Sequence, residues 1–151
     1  VERLLKQTLP GGRFSNVSAL RSRSMAAVKS KNNSTTERLL RMALVRLRIS
    51  GWITHADLPG KPDIYFPKQR LAVFLDGCFW HGCSRCGHIP KTNTLFWDTK
   101  IKRNQQRDRK NTKRLKGQGV FVIRAWEHSL KNPRDLALLL HRITEATSKQ
   151  V

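Results

Sequence analysis

Two carboxylates, Asp63 and Asp76, bracket a short apolar hairpin pattern, and His81 follows the second by five residues. If Phe66 and Leu71 flank the loop Pro67-Lys68-Gln69-Arg70, strand pairing sets Asp63 against Phe74, and Asp76 falls two residues further along the same face. The carboxylates then stand roughly 7 Å apart at the open end of the hairpin. A hydrated divalent cation bridges that distance, and Mg²⁺ takes one or two carboxylates together with waters and phosphate oxygens. Asp63 after Pro62 and Asp76 before Gly77 are also ordinary turn residues. Their placement favours chemistry: two of only 10 acids meet at one strand end, beside His81, in a chain with 30 Lys plus Arg. Metal-assisted phosphodiester cleavage needs that set. His81 suits a general base toward water, since an imidazole accepts a proton at neutral pH, and it equally suits a zinc ligand.

The second constellation is Cys78-x4-Cys83-x2-Cys86, all 3 cysteines of the chain within one loop. An odd count cannot be fully paired within one chain, and a Gly- and Arg-rich loop gives free thiols little apolar cover, so metal ligation fits better than a disulfide framework. Tetrahedral structural zinc takes four ligands, and His81, His88 and His128 compete for the fourth place. Phe79-Trp80 and Phe96-Trp97 are adjacent aromatic pairs in polar surroundings. Such pairs serve as core, yet neighbours on a loop do not both face inward easily, and beside cations they suit insertion into or stacking on bases. Lys100 and Asn104, one helical turn apart, suit contact with a base edge.

Elements must position these groups. The 151 residues suffice for one domain, and 38% hydrophobic content with runs such as Leu71–Leu75 and Val120–Ile123 supports a core. The net charge of +20 favours a polyanion, above all nucleic acid, and makes small neutral substrates poor candidates. Apolar stretches are too short for a membrane span, and no signal-peptide order opens the sequence, which reads as a soluble intracellular chain with no membrane partner. Residues 1–23, rich in Ser, Gly, Asn and Arg, read as a flexible basic N-terminal arm, and residues 24–151 as the domain. Leu39, Leu40, Ala43, Leu44 and Leu47 predict an amphipathic helix capped at Thr35 or Thr36 and stopped at Ser50-Gly51. Trp52–His55 predicts a short strand, followed by hairpin strands at Asp63–Phe66 and Leu71–Leu75, the latter apolar on both faces. Residues 78–90 form a loop. A strongly basic helix spans Thr94–Lys116, with phosphate contact and solvation sharing its charges, then come a strand at Val120–Ala125 and a helix at Asp135–Thr147 capped near Asn132-Pro133. The fold class expected is α/β, a small mixed sheet flanked by helices.

Pro59-Gly60-Lys61-Pro62-Asp63, then Val73-Phe74-Leu75-Asp76-Gly77-Cys78-Phe79-Trp80-His81-Gly82-Cys83, then Phe96-Trp97 with Lys100, Ile101 and Asn104, resemble the very short patch repair endonuclease family in order, spacing and identity. The likeness runs from about Arg21 to Glu127, and the Gly77–His81 string is its most specific part. It implies a type II restriction endonuclease-like fold that nicks one strand of double-stranded DNA at T:G mismatches left by deamination of 5-methylcytosine, using catalytic Mg²⁺ and a structural Zn²⁺. Residue by residue, Asp63 matches the metal-binding aspartate, His81 the histidine proposed to activate water, and Glu37 the glutamate that orders the metal's waters. Leu75 matches a position whose backbone carbonyl binds metal. Phe79, Trp80 and Trp97 match an aromatic wedge entering the DNA beside the mismatch, and Met25 a residue inserted from the other groove. Lys100 and Asn104 match residues that read the mismatched pair. Cys78, Cys83 and His128 match zinc ligands, with Cys86 of the same loop completing the set, so the resemblance sends His81 to catalysis and His128 to zinc.

Asp76 departs from the family, standing where the best-known form has histidine; it is either a second Mg²⁺ carboxylate or a partner that orients His81. The Lys that follows the second acid in many restriction-type nucleases is also absent, which leaves charge stabilisation to a second Mg²⁺ or to His81. Wedge insertion and single-strand nicking suit a monomer, assisted by mismatch-repair proteins, in the bacterial cytoplasm at the nucleoid. The competing readings are a zinc-stapled DNA-binding module without catalysis and a same-fold restriction nuclease acting on unmodified sites.

Overall fold

A computed structural model describes residues 36–148 throughout, and in addition Leu5, Gln7, Leu9, Phe14, residues 17–20 and Arg23. In chain order the elements are α1 (Thr36–Arg46), β1 (Ile64–Phe66), β2 (Leu71–Asp76), α2 (Thr94–Gly117), β3 (Phe121–Trp126), α3 (Glu127–Lys131) and α4 (Pro133–Ser148). Among the described residues the sheet has the order β1-β2-β3, with β1 and β2 antiparallel and β2 and β3 parallel. The small mixed sheet read from the sequence is therefore present, and the pairs Ile64↔Val73 and Phe66↔Leu71 give the hairpin register that its four-residue loop predicts.

β2 is buried on both faces because helices cover both. Leu71 and Val73 pack with Leu40 and Leu44 of α1, Ile64, Phe66, Ile123, and Leu139 and Ile143 of α4. On the opposite face Ala72 and Phe74 pack with Leu115 of α2 and Val120. Period-two alternation along β2 thus sends Asp76 to the α2 side of the sheet, and the parallel register sends Val122 and Arg124 there too.

Several boundaries differ from the sequence reading. The predicted strand Trp52–His55 shrinks to one bridge, Ile53↔Tyr65, because His55 turns into the left-handed region at φ 57 and ends the extended run. α1 ends at Arg46, ahead of Ser50-Gly51. Arg48 takes the left-handed position (φ 54), its N–H donates to Val45 O at 2.9 Å, and that of Ile49 donates to Leu44 O at 2.9 Å. This is a Schellman closure built without glycine. The brief α3 was not foreseen. α4 starts at Pro133, ahead of the expected Asp135, but is capped where expected, with Asn132 Oδ1 accepting the N–H groups of Arg134 (2.9 Å) and Asp135 (3.2 Å). Within residues 1–23, read as a flexible arm, the described Leu5 and Leu9 are buried against Phe96.

Candidate active site

Asp63 lies one residue before β1, and its backbone N–H donates to Val73 O at 3.0 Å, extending the ladder as the hairpin argument requires. Its Oδ2 accepts the Leu75 N–H at 2.7 Å. Burial pushes the Asp63 carboxyl up to about 6; the Leu75 hydrogen bond opposes this, and the charges of Glu37 and Asp76 add to it. Glu37, in the first turn of α1, and Asp76, at the end of β2, therefore act on the same spot. Several acids converging on a half-buried position make a seat for a cation, with a hard oxygen donor set of the kind Mg²⁺ takes.

Asp76 is buried, and Arg124 engages both of its oxygens: Nε donates to Oδ2 at 2.8 Å, and the second guanidinium nitrogen donates to Oδ1. The guanidinium also lies over the Phe74 ring at 4.8 Å and reaches Asp108 Oδ2 at 3.6 Å. Asp108, from the middle of α2, accepts from His81 Nδ1 at 2.5 Å, while Asp76 Oδ1 lies 3.7 Å from the same nitrogen. Asp76, His81 and Asp108 thus form one acid–histidine cluster whose candidate ligand atoms all lie within 4.8 Å of one another. The sequence reading missed Asp108 and Arg124. Both left a signal: Ile101, Gln105, Asp108, Thr112 and Leu115 follow one inward helical stripe, so an acid within it needs a partner. Arg124 likewise interrupts an apolar strand at an inward position.

The loop after β2 is held against α2 by its backbone. Asn104 Nδ2 donates to Trp80 O at 2.9 Å and Gln105 Nε2 to His81 O at 3.0 Å. Gly82, at φ 64, lies where a Cβ would meet Gln105 and Ile101 atoms at 2.7 Å, so no side chain fits between loop and helix.

The same loop brings Cys78, Cys83 and Cys86 to His128 at the start of α3. His128 Nδ1 stands 3.3 Å from Cys78 Sγ, 3.6 Å from Cys83 Sγ and 3.3 Å from Cys86 Sγ, and the sulfurs of Cys83 and Cys86 are 3.6 Å apart. A tetrahedral zinc with Zn–S near 2.3 Å and Zn–N near 2.0–2.1 Å requires edges of about 3.8 Å (S···S) and about 3.6 Å (S···N). The donor set fits. All three are free cysteines. Burial pushes the Cys83 thiol up, but the N–H groups of Cys86 and Arg85 more than offset it and bring it below its usual value. Cys86, hydrogen-bonded to Cys78, is pushed up to about 12. Neighbouring sulfurs cannot share negative charge without a cation. Of the competing histidines, His128 joins the cysteines, His81 joins the acids, and His88 lies 5.9 Å from the Phe79 ring.

The aromatics assemble beside this loop. Phe79 lies 5.0 Å from Trp80 and 5.3 Å from Trp97, and Trp80 lies 6.0 Å from Trp97 (ring centroids). Lys100 Nζ sits 5.4 Å from the Trp80 ring and 5.7 Å from that of Trp97. Phe96 faces inward, buried against Leu5 and Leu9, whereas Phe79, Trp80 and Trp97 stay partly exposed. Met25 lies outside the described residues.

Fold and site define a basic α/β protein with a closed cysteine centre in the loop after β2 and an open acid–histidine cluster beside it, next to the Asp63 carboxylate on which Asp76 acts. The family model for DNA mismatch endonuclease Vsr matches residues 16–87. The chain is 39% identical over 120 residues to the type II nicking enzyme V.NaeI of Lentzea aerocolonigenes, covering 74% of this chain and 70% of that protein. It is 36% identical over 122 residues to the type II nicking enzyme V.XorIIP of Xanthomonas oryzae pv. oryzae, covering 80% and 89%. It is 34% identical over 120 residues to DNA mismatch endonuclease Vsr of Escherichia coli, covering 78% and 76%. The chain belongs to the DNA mismatch endonuclease Vsr family and is an endonuclease.

Proposed function

We propose that this endonuclease nicks one strand of duplex DNA beside the thymine of T:G mismatches arising from 5-methylcytosine deamination, with Mg²⁺ as its catalytic ion. The observation that carries the reading is the His81–Asp108 pair, joined through Asp76 to the Asp63 carboxylate: Asp76 lies 3.7 Å from His81 and its charge acts on Asp63. With Nδ1–H donated to Asp108, the Nε2 lone pair of His81 is left to take a proton from water. Asp108 then steadies the imidazolium that forms. Asp63, the Leu75 carbonyl and Glu37 would hold the metal. When bound there, Mg²⁺ supplies positive charge to the phosphoryl oxygens as the bond to phosphorus forms.

Asp76 serves to orient His81 rather than to bind Mg²⁺ in this scheme, because Arg124 engages both its oxygens and its Oδ1 lies 3.7 Å from His81 Nδ1. Arg124 in turn supplies the fixed positive charge that the absent Lys provides in many restriction-type nucleases. Phe79, Trp80 and Trp97, with Met25 from the N-terminal side, pry at the mismatched step, which is easier to unstack than a matched one. Lys100 and Asn104 read the pair; Asn104 does so while holding Trp80 in place through its amide. Cys78, Cys83, Cys86 and His128 hold Zn²⁺ as a structural staple. Residues 24–151 form the restriction endonuclease-like domain, acting as a monomer in the bacterial cytoplasm alongside mismatch-repair proteins, with residues 1–23 as the arm anchored at Leu5 and Leu9.

The test is a panel of short duplexes with one T:G pair in varied contexts, incubated with Mg²⁺ or EDTA and scored strand by strand. Nicking of the thymine strand alone, lost in EDTA, is the expected result. Equal cleavage of matched duplexes would assign the chain to a restriction nuclease. Mismatch-preferring binding without cleavage in any context would leave a DNA-binding module.

A further inference from the structure

Between α2 and the end of β3 opens a cavity of about 630 Å³, with Asp76, His81, Asp108 and Arg124 at one side and Arg109, Lys113 and Lys116 along the helix wall. The acids in this wall are already compensated, Asp76 by Arg124 and Asp108 by His81 and Arg124. The helix cations are not: among the described residues no acid pairs with Arg109, Lys113 or Lys116. Other cations of the chain do have acid partners, Lys102 with Asp98 at 2.8 Å and Lys131 with Glu127 at 3.0 Å. Arg109 and Lys113 stand one turn apart, and Lys116 follows three residues later, a spacing at which like charges repel along a helix. A line of unmatched cations facing a cavity beside a hydrolytic cluster is an anion site.

Its length sets the ligand. From Arg109 to Lys116 the helix advances about 10 Å, the rise of about three nucleotides of one DNA strand at 3.4 Å each. We propose that this cavity seats consecutive phosphodiesters of the strand being cut, flanking the bond presented to His81. The proposal rests on the DNA-cleaving reading above and adds which strand runs into the cavity and which cations follow it. The remaining charges of α2, such as Lys110 and Arg114, do not line the cavity.

The experiment measures duplex binding by the full chain as a function of salt for three proteins: wild type, the double variant Lys113→Gln/Lys116→Gln, and Lys68→Gln. Lys68 is an exposed residue in the hairpin turn, at the opposite end of β2 from Asp76. All three substituted lysines are exposed, and a melting curve for each protein checks that its fold is kept. The slope of log K against log salt falls by about 2 in the double variant and stays at the wild-type value in Lys68→Gln. A second arm replaces single phosphates by uncharged methylphosphonates. One or two positions near the nick on the cut strand weaken wild-type binding and leave the double variant unaffected. An unchanged slope in the double variant overturns the proposal, as does a sensitive position confined to the uncut strand. Wild-type protein that binds no duplex at all overturns the DNA reading itself, an outcome separate from either of these.

Discussion

The loop after β2 carries two centres of opposite construction. The cysteine centre is local and closed: Cys78, Cys83 and Cys86 come from nine consecutive positions, only His128 arrives from elsewhere, and the backbone wraps so tightly that a Cβ at Gly87 would lie 2.5 Å from Cys83 O. The acid–histidine centre is distributed and open. Asp63 precedes β1, Asp76 ends β2, Asp108 comes from α2 and Arg124 from β3, and the last three, with His81, face a cavity lined by further cations. A closed site with all its ligands supplied holds structure, whereas a half-buried carboxyl pushed up to about 6 and a neighbouring cluster with an open side leave room for a cation, water and phosphate. One loop thus fixes its fold through its cysteines and, between Cys78 and Cys83, presents His81.

Removing a closed-site ligand is the most damaging way to break this contrast. Cys83→Ser forfeits metal-coupled folding energy on the order of 10 kcal/mol, so the variant loses both zinc and a cooperative melting transition; a normal melt without zinc would show the cysteine centre to be dispensable. Asp63→Ala should do the reverse. It removes the cation seat, lowers the nicking rate by about a thousandfold, some 4 kcal/mol of transition-state stabilisation, and keeps zinc, fold and duplex affinity. Cleavage within tenfold of wild type would place the metal elsewhere.

Arg124→Gln strips a largely buried carboxylate, Asp76, of its partner and should lower stability by about 3 kcal/mol, read by urea unfolding. Adding Asp76→Asn to it should recover part of that loss, because the two effects share one interaction; strict additivity would contradict the pairing. The smallest effect concerns pH. Asp63 has a folded value of about 6 against 3.8 for the free group, so the folded chain holds its proton more tightly and metal-free stability falls as pH rises from about 4 to 6. The loss is about 2–3 kcal/mol. Asp63→Asn should flatten melting temperature across that window relative to wild type, and Mg²⁺, which binds the ionised carboxylate, should offset the loss in wild type as pH approaches 6. Parallel curves for variant and wild type would remove Asp63 from the account.

What the sequence made legible follows the same division. Interactions encoded by spacing within one segment could be read directly: the cysteine run, the hairpin register fixed by Pro67–Arg70, and the two-sided burial of β2. Partnerships between distant elements could not. Asp108 lies 27 residues from His81 and Arg124 lies 48 from Asp76, and each looks like part of a general basic surface until helix α2 is laid on the sheet. The inward stripe Ile101-Gln105-Asp108-Thr112-Leu115 was the available clue, since a polar residue at a core-facing position has to be satisfied by something across the interface. Trp52–His55 failed for a local reason, a left-handed His55 that residue type alone does not announce.

The most direct test of two separable centres on one loop is to dialyse the native protein briefly against EDTA, measure its zinc content, and assay T:G nicking before and after adding Mg²⁺ alone. One zinc retained per chain, no nicking after dialysis, and full recovery with Mg²⁺ are the expected results. Recovery that required zinc to be added back, or nicking that persisted without Mg²⁺, would contradict that separation.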